Sequence, residues 1–102
     1  MTETTERIIK AIRKVPPGKV SCYRDIALAA GLRNGARQTV RVLHSMSGKY
    51  QLPWHRIIKA NGRIALYEGS GKELQTTLLR AEGVEVSDTG LVDIKRYGFF
   101  FP

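Results

Sequence analysis

Residues 21–46 read SCYRDIALAAGLRNGARQTVRVLHSM, and the fold turns on how this stretch divides. The Ser21 hydroxyl is suited to accept from the free amides of a starting helix, which predicts a helix from there through Ala30. Gly31 suits the left-handed position that closes a helix, and Leu32 and Arg33 complete the turn. A further helix is expected to start around Asn34–Ala36 and to run to about Met46. Ala36, Val40 and Leu43 share one of its faces. Arg37, Arg41 and His44 repeat at the same spacing one residue later, about 100° around the axis. One side packs, and the side next to it is basic.

Upstream, Thr5 to Val15 reads as an amphipathic helix, with Ile8, Ile12 and Val15 at i, i+4 and i+7 and Ile9 widening the stripe. Pro16, Pro17 and Gly18 stop it, because proline has no N–H to continue the ladder. Downstream, Ser47 to Leu52 is expected to be a loop. Arg56–Ala60 and Arg63–Tyr67 then flank Asn61-Gly62, a pair that tolerates positive φ at both centres of a two-residue hairpin turn. Gly69 to Gly71 is a further loop. Ser70 and Glu73 have the spacing of a capping box for a helix with Leu74, Leu78 and Leu79 inward and Gly83 at its end. The tail, Val84 to Pro102, is read as short extended pieces packing back on the rest. No repeat or linker divides the chain, so residues 1–102 are expected to form one domain.

The 102 residues are 42% hydrophobic and 25% charged, ordinary for a globular protein. The charge balance is not ordinary: 17 Lys and Arg against 9 Asp and Glu give a formal net charge of +8. Such an excess on a small domain favours a polyanionic partner, nucleic acid before membrane. Cys22 is the only cysteine, so an intramolecular disulfide is excluded and a reducing compartment is expected. The stretch Met1–Arg7 has no apolar signal core, and no run approaches the roughly 20 apolar residues of a membrane span. The expectation is a soluble cytoplasmic protein. His44, His55 and Cys22 have no known metal-ligand spacing, so neither metal nor cofactor is expected.

Two helices joined by a glycine-containing turn and followed by a β-hairpin give a fold class: mainly α, a winged helix-turn-helix DNA-binding domain with a small hairpin. In that reading Arg37 and Arg41 meet phosphates and fix register.

The segment Leu52-Pro53-Trp54-His55-Arg56-Ile57-Ile58 is more specific. It resembles the active-site motif of the O6-alkylguanine-DNA alkyltransferases, Pro-Cys-His-Arg followed by two aliphatics, with tryptophan in place of cysteine. That replacement marks the alkyltransferase-like proteins. The resemblance extends from about Val15 to Gly83. It includes Pro17-Gly18-Lys19-Val20, Ser21 with Tyr23, Ala36-Arg37, Asn61-Gly62, and Leu78-Leu79 with Glu82-Gly83.

The resemblance implies a role for each matching residue. Arg37 would enter the base stack from the minor groove, in the space left by an extruded nucleotide, and Ala36 would permit the close approach. Tyr23 would crowd the phosphate 3′ to the target and help to rotate it. Tyr67 and Trp54, with His55, would line the pocket that receives the base. His55 and Glu82 match the pair that assists the transferase thiolate, but indole offers one weak donor and no nucleophile. Arg56 is expected to hold the loop by hydrogen bonds. The implied function is non-enzymatic: a monomer that binds duplex DNA containing O6-alkylguanine, flips the damaged base and marks it for nucleotide excision repair factors. The sequence departs from the family near Met46, where transferases often carry asparagine, and in a loop one residue longer between Tyr67 and Lys72.

Two alternatives stay open on the residues alone. One is a suicide alkyltransferase that uses Cys22. The other is a sequence-specific regulator of winged-helix architecture.

Overall fold

The computed structural model describes residues 1–66 and 69–102. Helix α1 spans Glu3–Arg13, two residues earlier than the apolar periodicity suggests, because the Thr2 hydroxyl accepts from the Thr5 amide at 3.1 Å. Glu3 and Glu6 lie in its first turn and Lys10 and Arg13 in its last, each favourable to the helix dipole. Ile8, Ile9, Ala11 and Ile12 are buried.

Ser21 does not cap the next helix. Ser21–Cys22 form a short strand, β1, that pairs in parallel with Ile57–Ile58, β2, with Ser21 opposite Ile57. Pairing satisfies backbone groups that would otherwise be buried without partners, and this outweighs a single capping bond. Helix α2 therefore begins only at Tyr23 and ends at Ala29. The glycine cap is as expected: Gly31 N–H donates to Leu28 and Leu32 N–H to Ala27, at 3.0 and 2.9 Å.

Helix α3 spans Ala36–Tyr50, so most of the expected Ser47–Leu52 loop is helical. Leu43, Met46 and Tyr50 continue the apolar stripe onto the core, and an Arg13 guanidinium N–H donates to the Tyr50 carbonyl at the free end of the helix. The buried face is also rotated from the expected Ala36, Val40 and Leu43. Thr39 and Val42 are its buried residues, and those three are only half-buried.

Two apolar clusters form the interior. The first joins α1, α2 and α3 with Leu52 and Ile57. The second gathers Val20, Ile58, Ile64, Leu79, Val84, Val86, Val92 and Tyr97. Successive strand residues point to opposite faces, so β2 serves both, Ile57 one way and Ile58 the other. The short parallel pair is the seam between them.

The expected two-residue hairpin is replaced by a three-residue turn. Lys59 N–H donates to Arg63 and Gly62 N–H to Lys59, both at 2.9 Å. Gly62 has φ +88°, and among the described residues the one non-glycine with positive φ is Gln51, so Asn61 is not left-handed. This is a turn closed by a glycine bulge. Its outgoing arm leaves β2 and meets the tail: Arg63 bridges Leu91 antiparallel, and Val92 N–H donates to Gly62. Burial of Ile64 beside Val92 draws the arm that way. A Cβ at Gly62 would lie 2.5 Å from the Val92 carbonyl oxygen. Gly62→Ala is expected to cost about 2–4 kcal/mol from the positive φ and this backbone clash, seen as a lower urea midpoint with an unchanged slope.

Helix α4 spans Lys72–Ala81. Its first flanking residue is Gly71 rather than Ser70, and Glu73 instead accepts from the Gly69 amide, so no capping box forms. The helix is accordingly turned: Gln75 and Leu79 are buried, Leu78 is half-buried, and Leu74 faces outward at 55% exposure. Gly83 closes it as expected, donating to Arg80 while Val84 donates to Leu79. The tail is not wholly extended. Ile94–Tyr97 form a helical turn, α5, with Asp93 accepting from the Lys95 amide. Val20 and Gly98 then bridge in parallel, and Phe99 and Phe101 pack on the first cluster.

Candidate nucleic-acid interface

The reversal at the end of α3 places the Pro-Trp-His-Arg segment. Gln51 adopts a left-handed conformation, φ 52° and ψ 49°, buried Leu52 anchors the chain, and Trp54–Arg56 form one turn of 3-10 helix. Trp54 is half-buried, and beside it opens a cavity of about 300 Å³. Tyr23 from α2, Val40, Leu43, His44 and Ser47 from α3, Ile57, Leu66, Ser70 and Gln75 from α4 complete its wall. The volume lies at the lower end of the roughly 300–1,000 Å³ of small-molecule sites.

His55 and Arg56 turn away from this cavity towards Glu82. His55 Nε2 lies 2.9 Å from one Glu82 oxygen, and the His55 ring meets Trp54 edge-on at 6.1 Å. Arg56 donates to Glu82 from Nε at 3.0 Å and from Nη2 at 2.7 Å, and from Nη1 to the Val15 carbonyl at 3.0 Å. The Gly18 amide gives Glu82 a further bond at 3.2 Å. One carboxylate thus ties the 3-10 turn, the end of α4 and the connection after α1 together. His55, expected among the pocket residues, belongs to this network and is not part of the cavity wall.

The Arg56 bonds pull the Glu82 carboxyl down to about 2 against the opposing effect of burial, helped by His55 and the Gly18 amide. The unfolded chain therefore binds the proton more tightly. Stability from this group is complete above the ordinary carboxylate range and is lost as pH falls from about 4.5 through 2. Glu82→Gln is expected to remove about 3 kcal/mol at neutral pH and to flatten that acid limb, measured by urea denaturation at a series of pH values.

The other expected site residues are distributed along one surface. Ala36 and Arg37 open α3, Ala36 half-buried and Arg37 exposed. Arg41 is exposed one turn on, and His44 follows on the cavity wall. No ion pair engages Arg37 or Arg41 among the described residues, so both charges face outward. Tyr23 begins α2 and reaches the cavity, its hydroxyl pushed up by burial and hence a donor at neutral pH. Tyr67 lies outside the described residues. Cys22 is 5% exposed in β1, burial pushes its thiol up, and it is absent from the cavity wall. A thiolate nucleophile is disfavoured there.

Sequence reasoning missed Gln75, whose side-chain amide donates to the His55 and Ile57 carbonyls at 3.0 and 3.2 Å. Its signal was a polar side chain four residues before Leu79 on the same helical face. Val40 and Leu43, expected to pack inward, both wall the cavity, and Leu43 also packs on the first cluster.

The family described as 6-O-methylguanine DNA methyltransferase, DNA binding domain, matches residues 3–84. The chain belongs to this family. Within it, the chain is 36% identical over 97 residues to a DNA base-flipping protein of Vibrio parahaemolyticus, covering 95% of this chain and 96% of that one. It is 33% identical over 96 residues to alkyltransferase-like protein 1 of Schizosaccharomyces pombe, covering 93% and 89%. The crystal structure of S. pombe Atl1 in complex with damaged DNA containing O6-carboxymethylguanine superposes with a TM-score of 0.87, at 30% identity and 100% and 98% coverage. The mainly helical, helix-turn-helix fold class is thereby established, with a parallel strand pair in place of the expected hairpin.

Proposed function

We propose that this protein is a non-enzymatic sensor of alkylated guanine in duplex DNA. Helix α3 lies in the minor groove, Arg37 fills the stack where the damaged nucleotide stood, and Arg41 contacts phosphate. Tyr23 helps to turn the nucleotide outward. The extruded O6-alkylguanine rests in the cavity beside Trp54, and Tyr67 is assigned to it only by its match to the family's pocket tyrosine. The observation that carries this reading is Trp54 itself, half-buried on the cavity wall and standing at the motif position that holds the cysteine of the transferases it resembles. Indole cannot accept an alkyl group, so the base is held and not repaired. The Glu82–His55–Arg56 network then serves to hold the segment in place.

Binding without turnover suits a marker, and we assign the protein to signalling the lesion to nucleotide excision repair factors, as a monomer in the cytoplasm. Trp54 is the only tryptophan, so its emission reports the cavity directly. Titration with a duplex containing O6-methylguanine is expected to shift that emission through stacking. A matched undamaged duplex is expected to leave it nearly unchanged even at saturation. The same shift with both duplexes would overturn the reading.

A further inference from the structure

The cavity is walled mainly by apolar and aromatic groups, which supply area but little discrimination between one planar base and another. Among its polar side chains, Ser47 and Gln75 stand out. Ser47 Oγ is buried and has no hydrogen-bond partner among the described residues. Gln75 is only 2% exposed, and its amide orientation is fixed: Nε2 donates to two backbone carbonyls that can only accept. Which end of the amide is nitrogen is therefore decided by its partners. The other end, Oε1, accepts no bond from any described residue. A native interior seldom leaves a buried hydroxyl such as Ser47 Oγ unsatisfied, because such a group costs about 1–3 kcal/mol. One that persists at a cavity points to an occupant, which Oε1 is also free to meet as an acceptor.

Resting on the reading of the cavity as a base pocket, we propose that Gln75 is a specificity residue whose Oε1 accepts a hydrogen bond from the exocyclic amine of the flipped guanine. The chemistry selects that group. In O6-alkylguanine the alkyl ether removes the proton from the adjacent ring nitrogen, so the 2-amino group is the base's remaining donor. A fixed acceptor suits it, and the Ser47 hydroxyl can serve one of the ring nitrogens. Thymine and adenine derivatives alkylated at the same face carry no amine at that place. The tether to the His55 and Ile57 carbonyls makes the same side chain a positioning element for the segment that carries Trp54.

The test compares O6-methylguanine with O6-methylhypoxanthine, which differs only in lacking the 2-amino group. Each is placed opposite an abasic site, so that no base pair has to be broken, beside a guanine control. The wild-type protein is expected to bind the amine-bearing lesion about five- to tenfold more tightly, the weight of one hydrogen bond. Gln75→Met is expected to abolish that ratio whatever it does to absolute affinity, since a merely structural role lowers both equally. Gln75→Lys keeps donors for the two carbonyls but has no acceptor, and it too is expected to lose the ratio, which covers the case of a poorly folded Gln75→Met. Equal binding of the two lesions by the wild type, or a ratio that survives either folded variant, overturns the assignment of Gln75 while leaving the sensor intact. Equal binding of O6-methylguanine and guanine overturns the pocket reading and this assignment with it.

Discussion

Arg37→Ala is expected to leave a folded, DNA-binding protein that no longer distinguishes O6-methylguanine from guanine. Arg37 is exposed at the second position of α3, makes no ion pair among the described residues, and contributes nothing to either apolar cluster. The change therefore has no route to unfolding. Extrusion costs a few kcal/mol in stacking and pairing, and a guanidinium in the vacated space offsets part of it. Loss of about 2–3 kcal/mol corresponds to a roughly 30- to 150-fold weaker complex with the damaged duplex. On undamaged DNA, where nothing is flipped, the same change removes at most one phosphate contact and lowers the salt-dependence slope by about 0.9. Arg41→Ala, one turn further along, is expected to weaken both duplexes alike and to preserve their ratio. Measured together at one salt concentration, the two variants separate insertion from general attraction. If Arg37→Ala weakens damaged and undamaged DNA equally, Arg37 is one more phosphate contact. A regulator that reads undamaged sequence would then explain the protein better.

Arg56→Ala is expected to be the most destabilising single change in the Pro-Trp-His-Arg segment. Arg56 gives Glu82 bonds from Nε and Nη2 and the Val15 carbonyl a bond from Nη1, and the Arg56 and Glu82 side chains are only 14% and 16% exposed. Removal of one partner from such a pair costs about 3–5 kcal/mol, mostly because the remaining charge is stranded away from water. For a chain of this length that lowers the melting temperature by roughly 15–30 °C. Arg56→Lys restores the charge but not the fork, so it is expected to recover only part of the loss. The acid limb assigned to Glu82 should shrink in Arg56→Ala, since the carboxyl then lacks the partner that chiefly holds it down and keeps only His55 and the Gly18 amide. Melting within a few degrees of wild type would show that the network tightens the segment without supporting the fold.

These expectations rest on a fold that was partly legible beforehand. The helices around residues 3–13, 23–29, 36–50 and 72–81 were legible because apolar residues recur at helical spacing and Gly31 and Gly83 close two of them. What failed were the places where a distant partner overrides a local preference. Ser21 has the chemistry of a cap but pairs with Ile57, thirty-six residues on. Asn61-Gly62 has the chemistry of a two-residue turn, but its outgoing arm leaves for Leu91. Ser70 and Glu73 have the capping spacing, yet Gly71 takes the position before α4.

The site was legible in a similar measure. Trp54, Tyr23, Arg37, Arg56 and Glu82 were singled out by motif; Trp54 and Tyr23 line the cavity, Arg56 is bonded to Glu82, and Arg37 is exposed on α3. Gln75 was not found, because a glutamine on a buried helical face looks in sequence like an error of register. Only its two carbonyl partners, twenty and eighteen residues away, explain its burial. His55 was placed in the pocket by its neighbour Trp54, whereas Glu82 draws its ring elsewhere.

The most direct test is competition between two duplexes that differ in one base, guanine or O6-methylguanine, at a fixed ionic strength, followed by intact mass measurement of the protein. A clear preference for the alkylated duplex with the protein mass unchanged is the predicted result. Equal affinity, or a mass gain of one methyl group on the chain, would contradict a sensor that holds the damaged base without repairing it.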